Sequence, residues 1–502
     1  MFRAVRNVAR LIKLAYTLAQ YDALFPLEHL QISAFAPWTR RLFRKRDIDG
    51  RPGERLALAL QHMGPTFIKL GQMLSTRPDL LGEQVASDLT SLQDRLPPFD
   101  SKTARRTIEQ ELSAPIGDLF RSFNDEAVAA ASIAQVHFAV TTDGRKVAIK
   151  VLRPDIEAAF ARDIELLYWL AGLAHRLRPD LRRLKLVEVV QTFADATLLE
   201  MDLRMEAAAA RELAENFDGD PTFKTPDIDW DRTGQRVLTL ERIRGIPVDQ
   251  REKLIAAGHD PTKILGNAAA IFFKQVFRDG YFHADQHPGN AFVDDQGRIL
   301  AIDFGIMGRL DRQTRYYLAD MLMGFLRRDY GTVADVHFRA GYIPAGKSRE
   351  AFVQALRAIA EPIFDRPLHE ISIGKLLGLL FQVTERFEME TQPQLLLLQK
   401  TMLVTEGVGR KLNPDVNMWT LTRPLIESWM WDHRSPAARV REQVRNIAEA
   451  VERLPIRARQ LDQALERFNR PPEPVRSGQI SFQWPVWTAI AMLAAAVFLL
   501  AL

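Results

Sequence analysis

The chain of 502 residues contains no cysteine. Disulfide bonds, thiolate nucleophiles and cysteine zinc sites are therefore excluded, and the composition fits a reducing compartment. The net charge is only +4, and no basic stretch is interleaved with aromatic residues as in platforms that bind single-stranded nucleic acid. We therefore expect no nucleic-acid partner. The length is too great for one ordinary core and predicts two or more domains or subdomains.

Charged side chains are absent from residues 484–502, WPVWTAIAMLAAAVFLLAL. Nineteen helical residues span roughly 28 Å, close to the ~30 Å hydrocarbon core of a bilayer. Arginines lie just upstream at Arg467, Arg470 and Arg476, and the positive-inside rule places the preceding chain in the cytoplasm. The segment predicts a single transmembrane helix; the alternative is a buried core helix.

Acidic residues are absent before Asp22. Basic residues recur at helical spacing in this segment: Arg3, Arg6, Arg10 and Lys13. Apolar residues form a second stripe: Val5, Val8, Ile12 and Ala15. The pattern predicts a basic amphipathic helix over residues 1–25 that lies on an anionic membrane, and charges interrupt the apolar run too often for a signal peptide. A solvated face of an ordinary packed helix is the alternative.

A glycine-rich GxGxxG loop is also absent, and small residues stand before the first β-rich run instead. Residues 127–152 read AVAAASIAQVHFAVTTDGRKVAIKVL, in which TTDG between two β-rich runs predicts a hairpin. The preceding AAAS would let backbone N–H groups approach a phosphate closely, although alanine runs are usually packing. Lys150 lies in an apolar strand and needs a charged partner. Residues 198–215 predict a helix that offers Glu200 and Glu206, and the pattern does not choose between them.

Residues 283–290 read HADQHPGN, followed by IDFG at 302–305. Zinc is a poor reading, because Pro288 and Gly289 oppose a helix here and no third ligand is evident. In an ATP site, a hairpin would bring Asn290 and Asp303 together as oxygen ligands for Mg²⁺. Asp285 would then orient or deprotonate a nucleophile, and Lys150 would neutralise phosphate oxygens.

These motifs resemble the protein-kinase signature set in the right order: VAIK at 147–150, HADxxxxN at 283–290 and DFG at 303–305. The departures are equally informative. The kinase arginine of this loop is replaced by Ala284 and the loop lysine by His287. After DFG the chain turns promptly into helix, with no activation segment and no APE. The platform on which kinases lay a peptide substrate is therefore absent.

A further motif, KxGQ at 69–72, precedes the core in FIKLGQMLSTRPDLL. Together with AAASIAQVH, EMDLRMEA and HADQHPGN, it resembles the UbiB family, the atypical kinase-like proteins of ubiquinone biosynthesis. The resemblance runs from about residue 60 to residue 430. TEGVGRKL at 405–412 fits the same pattern and predicts a helix end rather than a nucleotide loop.

The resemblance implies ATP and Mg²⁺ as cofactors and assigns roles to residues of this chain. Asp285 is the candidate base, and Asn290 and Asp303 are the candidate Mg²⁺ ligands. Lys150 is expected on the α/β-phosphates, paired with Glu200 or Glu206, while Lys69 takes the other glutamate. The alanine-rich loop replaces the glycine loop with Ala129, Ala130, Ala131, Ser132, Ile133 and Ala134. Backbone groups near Glu241 and Ile243 would hold adenine, and Gln72 would reach toward the nucleotide beside Lys69.

The expected fold is α+β: a protein-kinase-like, two-lobed structure with an N-terminal helical KxGQ extension and a C-terminal transmembrane helix. We expect these segments: the amphipathic helix 1–25, the KxGQ extension 26–115, the small lobe 116–245, the large lobe with helical additions 246–430, a charged helical linker 431–483 and the span 484–502.

The implied function is an atypical kinase-like ATPase, or a small-molecule kinase, required for or regulating ubiquinone biosynthesis at the membrane. The alternatives are a true protein kinase acting on a quinone-biosynthesis protein and a nucleotide-binding scaffold without turnover. Anionic lipids, a quinone-precursor-like small molecule and ubiquinone-biosynthesis proteins are the implied partners. The implied location is the bacterial inner membrane, with the catalytic part in the cytoplasm.

Overall fold

The computed structural model describes residues 2–23, 50–75, 81–89, 96–177, 186–362, 386–389, 393–415 and 418–434, with Leu92 and Val383. The chain forms two compact units, residues 12–427 and residues 1–11 with 428–502. The predicted span at 484–502, and the predicted linker beyond residue 434, lie outside the described residues. Among the described residues, no helix is long and apolar enough to cross a membrane.

Helices precede the first sheet, as the sequence predicts. They are α1 (Phe2–Gln20), α2 (Pro52–Met63), α3 (Pro65–Ser75), α4 (Glu83–Leu89), α5 (Ser101–Leu112) and α6 (Ile116–Leu119). Leu60 of α2 and Ile68 of α3 are buried in one apolar cluster with Leu18 of α1 and Leu89 of α4. The KxGQ motif therefore sits on a helix with its own small core.

A small lobe follows, built on an antiparallel sheet. Its elements in chain order are β1 (Phe120–Phe123), β2 (Ala129–Ala130), β3 (Ala134–Thr141), β4 (Lys146–Leu152), α7 (Ile156–Leu177), α8 (Leu186–Glu200), α9 (Leu203–Asn216), β5 (Phe223–Lys224) and β6 (Val237–Glu241). Of these strands, β5 belongs to a sheet of the large lobe. The strand order is β1-β3-β4-β6, with β2 paired to β3. The predicted hairpin is confirmed as β3–β4, and Gly144 in its turn has a φ of 88°.

Strand β4 explains how a lysine enters an apolar run. Val147, Ile149 and Val151 are buried in a cluster with Ile108 of α5. Side chains alternate between the two faces of a strand. Lys150 therefore points to the opposite face, where helix α9 lies.

The single helix predicted over 198–215 is wrong, because two helices meet there. α8 ends at Glu200, and Asp202 has an extended backbone with φ −114° and ψ 94°. Its carboxylate accepts the Arg204 N–H and thereby caps α9. The break separates Glu200 and Glu206 onto two helices, so each glutamate can meet its own partner.

The large lobe begins with β7 (Ile246–Pro247), α10 (Arg251–Ala256), α11 (Pro261–Phe273), β8 (Tyr281–His283), β9 (Ala291–Val293), β10 (Ile299–Ala301) and β11 (Met307–Arg309). Its sheets are β5-β10-β9-β7 and the pair β8–β11. The helix that begins at Pro261 is α-helical only to Phe273, and a π-helical turn spans Lys274–Asp279. Gly280 follows at φ 66°, where a Cβ would lie 2.5 Å from the Leu310 carbonyl oxygen, so glycine is required.

Helices complete the described chain: α12 (Arg312–Leu326), α13 (Tyr330–Arg339), α14 (Arg349–Ala360), α15 (Pro393–Leu412) and α16 (Met418–Arg434). Tyr330 and Phe352 lie at the centre of one helical core. α15 instead packs into the large lobe through Val408 and Leu412. TEGVGRKL forms the last turns of α15, so the predicted helix end is confirmed.

Candidate functional site

Lys150 joins the two lobes through a cluster of ion pairs. Its Nζ donates to both carboxylate oxygens of Glu206, at 2.8 and 2.9 Å, and to Oδ1 of Asp303 at 3.2 Å. The Phe304 N–H donates to the same Glu206 carboxylate at 3.3 Å. Strand β4, helix α9 and the segment after β10 thus each contribute one charge. The glutamate partner of Lys150, which the sequence left open, is Glu206.

The electrostatics of this cluster leave the Asp303 carboxylate ionised and accessible to a ligand. Burial raises the pKa of Glu206 to about 7, opposed by the neighbouring Lys150 ammonium. Partial burial also works against ionisation of Asp303, but Lys150 and then Lys69 hold the Asp303 pKa below its ordinary value. The Asp303 side chain is 48% exposed, whereas that of Glu206 is 7% exposed. Asp303 therefore presents an ionised carboxylate to solvent, while Glu206 is enclosed behind Lys150.

The other glutamate pairs with the KxGQ helix. Lys69 of α3 lies 3.0 Å from the Glu200 carboxylate at the end of α8, and both side chains are largely buried. Thr66 on the same helix donates to Asp163 of α7 at 2.7 Å. These two bonds attach the extension to two helices of the small lobe. Gln72 lies on the same helix and is half-buried, and its contact with a nucleotide stays a prediction.

The loop 283–290 is shaped by its own histidines. The Asp285 N–H donates to Nδ1 of His283 at 3.2 Å, and the Gly289 N–H donates to Nδ1 of His287 at 3.0 Å. The His283 N–H in turn donates to the Gln275 side chain in the π-helical turn at 3.0 Å. Burial lowers the pKa of His283. Each of the two rings thus accepts a hydrogen bond from the backbone two residues further along the loop. Among the described residues, no group of three or more His, Cys, Asp or Glu side chains could hold a metal.

Asn290 and Asp303 are brought together by the β9–β10 hairpin. The Ile302 N–H donates to the Asn290 carbonyl at 2.9 Å, which places Asp303 beside Asn290. Nδ2 of Asn290 donates to the Asp285 carbonyl at 3.1 Å, so the amide oxygen is the group left to face a cation. An ionised carboxylate and an amide oxygen at the open end of one hairpin fit Mg²⁺, which takes few protein ligands and completes its shell with water and phosphate oxygens.

Lys400 is a residue of the site that sequence reasoning missed. Its Nζ lies 2.9 Å from Oδ1 of Asp285, although the two residues are far apart in the sequence. Lys400 belongs to α15, outside all three kinase-like motifs. No local pattern could have identified it, because its role depends on where α15 packs.

The alanine-rich loop, residues 129–134, is held by hydrogen bonds from Arg153. Residues 129–130 form β2, and the side chains of 132–134 are buried, so these three can offer only backbone groups to a ligand. Arg153 donates from Nε and a terminal nitrogen to the Ala131 carbonyl, at 3.0 and 2.9 Å, and also to the Pro97 carbonyl at 2.9 Å. Sequence reasoning missed Arg153 as well.

Glu241 ends strand β6, at the start of the segment expected to hold adenine through backbone groups. Its N–H donates to the Asp227 carbonyl at 2.8 Å, and its carboxylate binds Lys224 at 2.7 Å. Adenine could therefore use the Glu241 carbonyl but not its N–H or its carboxylate. Ile243 follows in the irregular connection to β7, and its contact with adenine stays a prediction.

Comparison with known proteins identifies this arrangement. Residues 91–337 match the ABC1 atypical kinase-like domain, and residues 356–417 match the UbiB helical domain. The chain is 43% identical over 460 residues to the Probable protein kinase UbiB of Marinobacter nauticus, covering 89% of this chain and 83% of that protein. The chain belongs to the UbiB family. The protein of the same name in Azotobacter vinelandii is 44% identical over 476 residues, with coverage of 92% and 88%.

A solved structure shares the fold. The structure is the complex of Rv3197 with erythromycin from Mycobacterium tuberculosis. Its alignment with this protein covers 71% of this chain and 90% of the solved chain, with a TM-score of 0.52 and 27% sequence identity. The resemblance to the UbiB family is therefore confirmed, together with a kinase-like α+β fold. Lys400 lies within the UbiB helical domain, so the ion pair with Asp285 joins that domain to the kinase-like one.

Proposed function

We propose that this UbiB-family chain is a Mg-ATP-dependent ATPase or small-molecule kinase that supports ubiquinone biosynthesis at a membrane. The observation that carries the proposal is the cluster of Lys150, Glu206 and Asp303 across the two lobes, with Asn290 and Asp285 beside it. A lysine held by a buried glutamate, next to a metal carboxylate and a base, is the set that phosphoryl transfer requires.

Each residue has a distinct task. Lys150 neutralises phosphate oxygens, and Glu206 fixes its direction from the buried side. Asp303 and Asn290 hold Mg²⁺ through oxygen atoms, and Asp285 orients or deprotonates the nucleophile. Bound ATP would supply the phosphoryl group, and the Mg²⁺ held by Asp303 and Asn290 would neutralise the negative charge that develops during its transfer. The protein contributes position and electrostatics, which are the main sources of catalysis in this reaction.

The chain after Asp303 favours a small acceptor over a peptide. β11 follows Asp303 closely and pairs with β8, and α12 begins at Arg312, so no long loop separates the metal ligand from the next helix. Peptide phosphorylation needs a surface that holds an extended chain. Water or a compact small molecule needs only room near Asp285, and this supports an ATPase or a small-molecule kinase.

The membrane role rests on both ends of the chain. The basic residues of α1 would contact anionic lipids, and residues 484–502 would span the bacterial inner membrane with the lobes in the cytoplasm. A quinone-precursor-like molecule would then reach the protein from the lipid, and ubiquinone-biosynthesis proteins would assemble at the same surface.

The test measures phosphate release from Mg-ATP by the full-length chain in anionic vesicles, with a water-soluble phenol as mimic of a quinone precursor. Asp285→Asn is the catalytic comparison, and nucleotide binding is measured in parallel. We expect release that falls by about 100-fold or more in Asp285→Asn, since a positioned base contributes roughly 10²–10⁴-fold. Lipid or phenol should increase the wild-type rate.

Two outcomes would favour the alternatives. Nucleotide binding without any Asp285-dependent release would point to a scaffold. Transfer of labelled γ-phosphate to an added quinone-biosynthesis protein, lost in Asp285→Asn, would point to a true protein kinase.

A further inference from the structure

The ion pair between Lys400 and Asp285 connects the candidate base to a helix outside the kinase-like lobes. Nζ of Lys400 lies 2.9 Å from Oδ1 of Asp285, with side-chain exposures of 35% and 29%. At this exposure an ion pair typically adds only about 0–1 kcal/mol to folding stability. Stability alone is therefore a weak reason for placing a lysine against the base.

Helix α15 is buried beside Lys400 and anchored in the large lobe at its C-terminal end. Thr401, the next residue, is fully buried, and Leu412 lies in the core of the large lobe. Arg251 donates to the Leu412 carbonyl at 3.0 Å, and Val408 of the same helix is buried in that core as well. A lysine on such an anchored backbone loses less conformational entropy when it holds a partner than one on a mobile segment does.

The loop itself has no lysine in the place where kinases have one. Position 287 corresponds to the loop lysine of the kinase motif, but His287 accepts the Gly289 N–H through Nδ1 and is turned onto its own backbone. His283 likewise accepts the Asp285 N–H. The ammonium group at hydrogen-bond distance from the Asp285 carboxylate comes instead from Lys400.

We propose that Lys400 is a positioning residue for Asp285, supplying from the helical domain the cation that the catalytic loop lacks at position 287. The inference rests on the proposed phosphoryl-transfer function and deepens it. Lys400 holds Oδ1 of the carboxylate, so that Oδ2 is directed to the nucleophile whose proton Asp285 accepts. A general base must lie within hydrogen-bond reach of that proton, so loss of orientation lowers the rate of turnover.

The test is a double-mutant cycle in turnover. kcat and KM for phosphate release from Mg-ATP are measured for the full-length wild type, Lys400→Met, Asp285→Asn and the double variant. We expect Lys400→Met to lower kcat by about tenfold or more with little change in KM, because Lys400 contacts the base. In the Asp285→Asn background, Lys400→Met should cause no further loss, because groups that act as a unit share one loss.

Two further variants separate positioning from a structural effect. Lys411→Met removes a lysine from the same helix that pairs with Asp249, away from the loop, and should keep the wild-type kcat. Lys400→Arg keeps a cation at the site and should recover most of the rate lost in Lys400→Met.

The outcomes distinguish the inference from the function on which it rests. A wild type without Asp285-dependent release would overturn the proposed function and the role of Lys400 with it. If the wild type turns over but Lys400→Met matches Lys411→Met, the inference alone is overturned. An equal loss of kcat in both Asp285 backgrounds would assign Lys400 a structural role, and an increase in KM alone would place it on the nucleotide.

Discussion

Asp303 has the properties that a metal ligand needs at the scale of a single residue. It is exposed and ionised, and it accepts one hydrogen bond from Lys150. The other hydrogen bonds of the Lys150 ammonium group go to the two carboxylate oxygens of Glu206. We predict that Asp303→Asn lowers Mg-ATP affinity by about 100-fold or more, since loss of even an outer-shell partner costs 10–100-fold in metal affinity. Calorimetric titration with Mg-ATP, and with ATP and a chelator, would measure the change.

The control for this substitution lies in the same hairpin. Asp295 is exposed in the β9–β10 turn, so Asp295→Asn removes the same charge from the same segment without touching the cluster. It should bind Mg-ATP as the wild type does. Equal affinity of wild type and Asp303→Asn for Mg-ATP would contradict the assignment of Asp303 as a metal ligand.

Motifs placed the core residues of the site, but not the partners that come from distant elements. Lys150, Asp285, Asn290 and Asp303 follow from spacing and order along the chain, and the hairpin that joins the last two is local. Lys400 could not be identified, because its contact depends on packing between α15 and a loop far away in sequence. Long-range contacts of this kind leave no periodic signal.

At the scale of elements, the glycine of KxGQ sets how closely α3 packs. A Cβ at Gly71 would lie 2.4 Å from Cδ1 of Leu92 and 2.8 Å from Cδ1 of Leu60. We predict that Gly71→Ala destabilises the protein by about 1–3 kcal/mol, as overpacking usually does. Urea unfolding would measure the loss, and the displaced helix should also weaken the Lys69–Glu200 pair.

A second helical glycine provides the matched control. A Cβ at Gly266 in α11 would meet nothing within 4 Å. Gly266→Ala should therefore leave stability unchanged or raise it by up to about 1 kcal/mol, through helix propensity alone. Similar unfolding midpoints for the two variants would show that packing around Gly71 is not what requires glycine.

Helix α1 allows a test of the membrane proposal at a single position. Ile12 and Tyr16 are 48% and 47% exposed, one turn apart on a helix with basic residues. Because the chain has no cysteine, Ile12→Cys can be labelled uniquely with an environment-sensitive fluorophore. We predict a blue shift with anionic vesicles that weakens as salt is added, since lipid charge and apolar burial act together.

The comparison for α1 is an equally exposed apolar residue elsewhere. Ile255 in α10 is 46% exposed, and the same label at Ile255→Cys should not respond to vesicles. Equal responses at the two positions would indicate general adsorption, and no response at Ile12→Cys would contradict the membrane role of α1.

Element types were predicted well, but boundaries depended on single polar contacts. The β3–β4 hairpin and the prompt helix after DFG follow from periodicity and turn chemistry. The break between α8 and α9 depends on Asp202, which caps the second helix. The residues MDLRME are also compatible with one continuous helix, so the sequence does not indicate the break. The π-helical turn before the loop likewise keeps helical periodicity in sequence while changing its hydrogen bonds.

At the scale of the whole molecule, the AQVH motif joins the segment before α5 to the small-lobe sheet. Gln135 accepts the Phe99 N–H at 2.8 Å and donates to the Phe99 carbonyl at 3.2 Å, which fixes its amide orientation. The same Nε2 lies 2.8 Å from Nε2 of His137, and Nδ1 of His137 lies 2.9 Å from the Asn124 carbonyl. His137 must therefore donate from Nδ1 and accept at Nε2.

This clamp makes stability depend on pH. A proton on Nε2 would face the Gln135 donor, and burial lowers the pKa of His137. The unfolded chain therefore binds a proton at this histidine more readily than the folded protein does. The contribution of His137 to folding stability is full above pH ~6.5 and is lost as the pH falls toward the pKa of the folded state. We predict that the unfolding free energy decreases by up to about 1.4 kcal/mol per pH unit from this residue as the pH falls below ~6.5. His137→Phe should remove that part of the slope in urea unfolding, whereas His62→Gln, at an exposed position of α2, should keep it. An unchanged slope in His137→Phe would mean that the acid sensitivity arises at other groups, such as the buried His283.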